Sequence, residues 1–290
     1  MIKNFDFQNK AYTLGRSLLL LSTFLVLLFN NTNTMMSYNK EHLSCSDLPI
    51  PTAFCVSDMI GMNYEVMRWI MIVILLIALL GFVPCITGIL HWYICYSIQQ
   101  SFLPVDGGDQ ISMVITFLLI PITLLDFRFN YFLSKKRELN EYIINITGCF
   151  MLLIKIQVFL IYINAAIERL RNKEWADGTA LYYFFSDSVF GIPKWEYQLT
   201  SFIWESNLII LITWSVTALE LFLAFNIIQN KLTNKIALIL GIVFHIFIGL
   251  TIGIWTFAIV MIACLILYLH ADMQIFNKKR EDKKDGIISE

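Results

Sequence analysis

Five ionisable side chains in the apolar part of this chain have types and spacing suited to chemistry: Lys155, Glu168, Arg169, Glu220 and His245. The first three lie in one stretch, KIQVFLIYINAAIERLRNKEWADGTAL (Lys155 to Leu181), which begins apolar with Lys155 and Gln157 inside it. It leaves the apolar register through Tyr162 and Asn164. It then crosses a charged turn (Glu168, Arg169, Arg171, Lys173, Glu174) and closes on Trp175 and Gly178. An ionisable group at mid-helix in a bilayer costs about 2.5–3.5 kcal/mol on insertion scales unless it faces protein or water. The stretch therefore implies an interior polar site that opens toward one face of the bilayer.

Lys155, Tyr162 and Arg169 recur at i, i+7 and i+14, one stripe of a helix, with Gln157, Asn164 and Glu168 on a neighbouring stripe. Both stripes are expected to face the bundle interior. The alternative is that they only form interhelical hydrogen bonds. Glu220 sits in the middle of another apolar run, where a carboxylate must be paired or protonated, and Lys155 is its candidate partner. His245 lies deep in a third run; a lone histidine there is more often a hydrogen-bonded packing residue than a ligand. If these groups react, Glu220 or His245 would accept a proton and Arg169 would stabilise an oxyanion.

Composition says what must hold them. Of 290 residues, 58% are hydrophobic, against about 45–50% in a soluble domain, and the mean hydropathy is +0.67. The excess lies in long uninterrupted runs, so the expected fold is all-α, a polytopic membrane helix bundle. About eight helices are predicted, at 12–30, 67–84, 86–103, 111–131, 143–165, 207–227, 236–252 and 254–270. The last two divide one long run at a tight hairpin near Gly253, and the third, short and carrying His91, either spans or re-enters. The domain reading is a terminus 1–11, a membrane domain 12–270 with external loops 31–66 and 166–205, and a basic tail 271–290. The first helix is expected to be a retained anchor, because Asn30, Asn31, Thr32 and Asn33 follow it in place of a small-residue cleavage site.

Charge orients the chain. Lys3, Lys10 and Arg16, then Arg128, Lys135, Lys136 and Arg137, then Lys231 and Lys235, then the tail lysines fall on one side of an eight-span chain. Both termini are thus expected to be cytoplasmic, with the tail near anionic headgroups. A net charge of −1 argues against a nucleic-acid partner. Cys45 and Cys55 share the expected external loop, where a disulfide or two separate thiols are both open; an oxidising compartment favours the disulfide. The turn Asp106-Gly107-Gly108-Asp109 suits helix capping better than metal binding, and no metal is expected. No Walker loop, H-E-x-x-H, G-x-S-x-G or Cys/His zinc spacing occurs, which disfavours a metalloprotease or a nucleotide-driven pump.

The run Gln157, Tyr162, Ala165-Ala166, Glu168-Arg169-Leu170, Trp175, Gly178-Thr179-Ala180-Leu181 resembles the signature helix and loop of the horizontally transferred transmembrane (HTTM) domain. That domain is also the membrane part of vitamin K-dependent gamma-carboxylase. Glu220, Gly241 and His245 sit where the family carries an acidic residue and a histidine. The carboxylase has a lysine pair, including its base, where this chain has Glu168 and Arg169; arginine stays protonated and is a poor base. If enzymatic, the chain therefore resembles a peptide-processing factor more than a carboxylase. LGRSLLLLSTFLVLLFN (Leu14 to Asn30) and the loop holding Cys45 and Cys55 are similar to the sporulation-delaying protein B family. That resemblance implies a bacterial inner-membrane protein with a soluble (SdpA-like) partner, needed to mature a secreted peptide toxin (SdpC-like), and it implies no cofactor. Two other readings are a membrane-embedded quinone-linked oxidoreductase or carboxylase-like enzyme, and a non-catalytic scaffold or immunity protein.

Overall fold

Short polar caps start most of the helices. In this computed structural model, Asn9, Asn31, Thr52, Asn63, Asp106, Asn140 and Asn172 each accept a backbone N–H of a helix's first turn, which satisfies donors that a helix N-terminus leaves unpaired. The structure describes residues 6–36, 45, 48–103, 106–187, 191–226 and 231–270, without the side chains of Lys231 and His270. Lys3 and the tail 271–290 lie outside the described residues.

Helices in order are α1 (Lys10–Phe29), α2 (Thr32–Met35), α3 (Ala53–Met59), α4 (Tyr64–Leu79), α5 (Pro84–Ser101), α6 (Gly107–Leu124) and α7 (Glu141–Arg171). They continue with α8 (Lys173–Ala176), α9 (Ala180–Ser186), α10 (Lys194–Trp204), α11 (Leu208–Phe225), α12 (Lys231–Ile252) and α13 (Trp255–Leu265), which a π-helical turn extends over Ile266–His270. Among the described residues there is no strand, only an isolated bridge between Phe82 and Asn130. The fold is all-helical, and each of the eight apolar runs forms a helix. Five helices (10–29, 107–124, 141–171, 208–225 and 232–252) are long and apolar enough to cross a membrane. Their outward faces are apolar too: Leu211 is 69% exposed and Val243 59%. Such surface is excessive for a water-soluble monomer, and the chain is a membrane protein.

The core has two parts that share α1. Leu19 of α1 packs with Ile115, Ile154, Leu223 and Val260 of α6, α7, α11 and α13. Leu20 and Leu27 pack with Phe54, Leu75 and Ile98 of α3, α4 and α5. A smaller cluster, with Phe185, Trp204 and Ile209, sits where α9 and α10 meet α11.

Three boundaries differ from the sequence expectation. The fourth run ends at Leu124, not at 131, because Asp126, Arg128 and Asn130 turn inward and the chain becomes extended. The fifth runs on to Arg171, because Glu168, Arg169 and Leu170 are good helix formers. The expected loops 31–66 and 166–205 contain the short helices α2, α3, α8, α9 and α10. The third run is one continuous helix, α5, and Gly253 (φ +83°) makes the α12–α13 hairpin turn.

Cys45 and Cys55 are joined in a disulfide (Sγ–Sγ 2.05 Å). The closed loop is short, so chain entropy gives it about 2–3 kcal/mol. Cys55→Ser is expected to lower the unfolding midpoint of the purified protein, and reductant is expected to lower it in wild type but not in the variant.

Candidate functional site

The polar stripe of α7 meets a polar stripe of α11. Thr213, Thr217 and Glu220 are all buried and recur every turn along α11. Across from them Arg169 Nη2 lies 2.9 Å from Glu220 Oε1, with side chains 23% and 6% exposed. The partner of Glu220 is therefore Arg169, not Lys155. Lys155 is on the same stripe and half-buried, but fourteen residues earlier, about 21 Å along the axis. Glu168 also departs from the expectation. It is one residue, about 100°, around the helix from Arg169, and it is exposed in an ion pair with Arg171 at 2.8 Å. Asn164, on the Glu168 stripe, is exposed as well.

A tight corner brings an aromatic ring back onto Arg169. Asn172 closes α7 and its side chain caps α8 through Glu174 N and Trp175 N. Asp177 accepts from Thr179 N (3.0 Å) and Thr179 Oγ1 (2.6 Å), and the hydroxyl bond chiefly holds its carboxyl below the ordinary range. Gly178 turns at φ +86°, and any Cβ there would lie 2.7 Å from Ile210 Cγ2, so only glycine permits this approach to α11. The result places the Arg169 guanidinium 4.3 Å from the Trp175 ring centroid, a cation–π contact. Beside it is an open cavity of ≈ 540 Å³ lined by Ala165, Glu168, Arg169, Arg171, Asn172 and Trp175.

Tyr162 links this centre to His245. Its hydroxyl is 2.9 Å from His245 Nε2, and Phe244 and Phe257 flank the imidazole at 5.1 and 5.9 Å between centroids. Tyr162 precedes Arg169 by seven residues, so the two polar pairs lie about 10 Å apart along α7. Glu220 Oε2, Arg169 Nη1, Thr213 Oγ1 and His245 Nδ1 are buried with no hydrogen-bond partner among the described residues. Buried polar atoms are almost always satisfied, so these mark places where a polar ligand would find ready partners. The site offers a permanent cation, a carboxylate with one uncommitted oxygen, and an imidazole tied to a phenol.

In sequence, Tyr162 belongs to the stripe and to the family signature, and Trp175 to that signature and to the end of the charged turn. Nothing in the sequence pairs either with His245 or Arg169. The Asp106 turn is structural: Oδ1 accepts from Asp109 N and Oδ2 from Thr256 Oγ1, both at 3.0 Å.

The HTTM domain family model matches residues 112–273, which takes in every residue of this site. The chain is 51% identical over 266 residues to the sporulation-delaying protein SdpB of Bacillus subtilis (strain 168), covering 91% of this chain and 82% of that protein. It is 34% identical over 264 residues to the uncharacterized protein YitO of the same strain, covering 89% of this chain and 84% of that one. No solved structure matches it.

Proposed function

This chain belongs to the HTTM-domain family of the sporulation-delaying protein SdpB, and from that premise we propose that it works in a sporulation-delaying toxin system as the membrane factor that matures a secreted peptide precursor. The observation that carries the reading is half-identity to SdpB over nine-tenths of the chain. In this reading it crosses the bacterial cytoplasmic membrane eight times with both termini inside. It acts with a soluble SdpA-like partner on an SdpC-like precursor.

The precursor engages the cavity beside Trp175. Arg169 holds a peptide carbonyl or carboxylate through Nη1, and Glu220 Oε2 accepts a proton or an N–H. Tyr162 and His245 are positioning residues that fix the α7–α12 contact below the pair. Aromatic residues of α9 and α10 (Tyr183, 59% exposed; Trp195, 66%) flank the approach.

The test is reconstitution in cells lacking the protein. It is expressed with its genomic neighbours, and secreted peptides are analysed by intact mass, comparing wild type with Glu220→Gln and Arg169→Ala at matched membrane levels. A precursor trimmed by wild type and by neither variant is the expected result. Trimming that persists in both variants keeps maturation and removes the site. Unchanged peptides with wild type present overturn the maturation role, and variants that alter abundance alone make the chain a scaffold.

A further inference from the structure

The start of α1, the α4–α5 turn and the loop after α6 meet at one end of the bundle, and there the fold buries a cation without a counter-charge among the described residues. Arg16, in the second turn of α1, is 2% exposed. Its Nη2 donates to Thr87 Oγ1 at 3.1 Å, and the guanidinium lies 5.2 Å from the centroid of Tyr131. Both partners are neutral, and among the described residues no carboxylate pairs with it. The neighbouring Arg128 is different. It donates to Tyr131 O and is gripped by both oxygens of Asp126 at 2.7 Å. Among the described residues, two guanidinium groups against one carboxylate leave one positive charge uncompensated. Arginine cannot shed its proton, and an unpaired buried charge is costly.

Neutral donors surround the same spot. Ser17 Oγ and Tyr131 OH are 3.0 Å apart; one hydroxyl donates to the other, and the second keeps its proton for another acceptor. Ser17 is half-buried and brings the cluster to the surface.

The loop that covers the cluster is inside-out for water. Asp126, Arg128, Asn130 and Tyr131 are buried, while Phe127, Phe129, Phe132 and Leu133 are 66%, 71%, 55% and 82% exposed. Exposed Lys10, Lys135, Lys136 and Arg137 rim it. Polar groups inward, large apolar groups outward and a basic rim fit the boundary between acyl chains and headgroups.

We propose that this end of the bundle binds an anionic phospholipid. The phosphodiester sits on Arg16 and the Ser17/Tyr131 hydroxyls, and the four outward side chains of the loop lie among acyl chains. A guanidinium fork suits phosphate oxygens. Arg16, Ser17 and Thr87 precede the segment that matches the HTTM model, while Tyr131 and the covering loop fall within it; the site does not depend on the maturation reading.

Native mass spectrometry of the full chain in detergent tests it, with phosphatidylglycerol, phosphatidylcholine and inorganic phosphate as separate probes. Wild type is expected to retain one phosphatidylglycerol under conditions that strip phosphatidylcholine. Arg16→Gln is expected to weaken that binding about tenfold. Ser17→Ala, which changes no charge and keeps the fold safe, is expected to weaken it about threefold. Retention of phosphatidylglycerol that neither substitution changes overturns the site. Binding of inorganic phosphate with the same Arg16 dependence, and none of lipid, overturns the lipid and leaves a free-phosphate site.

Discussion

Arg169→Ala is expected to destabilise the protein by about 3–5 kcal/mol, and Glu220→Gln by distinctly less. The asymmetry follows from burial. Glu220 is 4% exposed, and its second oxygen already lacks a partner among the described residues. Without Arg169 it is a stranded carboxylate in a low-dielectric interior. Without the Glu220 charge, Arg169 still has the Trp175 face at 4.3 Å and a side chain 23% exposed. The double variant should therefore recover part of what Arg169→Ala loses, because it removes the stranded charge. Unfolding in detergent, followed by helical signal against denaturant, reads all three. Equal single effects that simply add would mean that the pair is not coupled.

Gly88→Ala is expected to be the next most damaging, for a purely steric reason. A Cβ at Gly88 would lie 2.1 Å from Thr123 Oγ1 and 2.5 Å from Thr123 Cβ. The obstacle is the root of a side chain on α6, not a mobile tip, so α5 and α6 must move apart. Overpacking of this kind costs about 1–3 kcal/mol, and small residues are what let membrane helices approach closely. The sharper expectation concerns rescue. Adding Thr123→Gly to Gly88→Ala exchanges which helix carries the side chain and should restore most of the lost stability. If the second substitution only adds further loss, close α5–α6 packing at this crossing is not what Gly88 supplies.

Hydropathy made the helices legible, because a run of about twenty apolar residues has few other fates. It could not show depth or rotation. Arg16 and Arg128 count as topology-setting basic residues in sequence, yet both are buried, one on Thr87 and Tyr131, the other on Asp126. The segment after Leu124 keeps a strong apolar content in Phe127, Phe129, Phe132 and Leu133. Only its alternation, Asp126 in and Phe127 out, Arg128 in and Phe129 out, marks it as extended. In the site, stripe periodicity put Tyr162 and Arg169 on the inner face but also put Glu168 there, and a neighbouring stripe 100° away is a different environment. Which inward cation meets Glu220 depends on how α7 and α11 slide past each other, and no spacing within one helix encodes that. The same holds for Tyr162 and His245, 83 residues apart.

One dimension of α7 has a consequence for the membrane itself. Its 31 residues make a rod about 46 Å long, against about 30 Å of hydrocarbon. A rod that long either leans or stands proud by about 16 Å in total, and bilayer thickness selects the balance. Arg169 is two residues from its end, where leaning changes height most. How far the Trp175 cavity rises above the lipid is thus set jointly by protein and membrane. A cell that thickens or thins its bilayer would raise or lower the mouth of the site without altering one bond inside it.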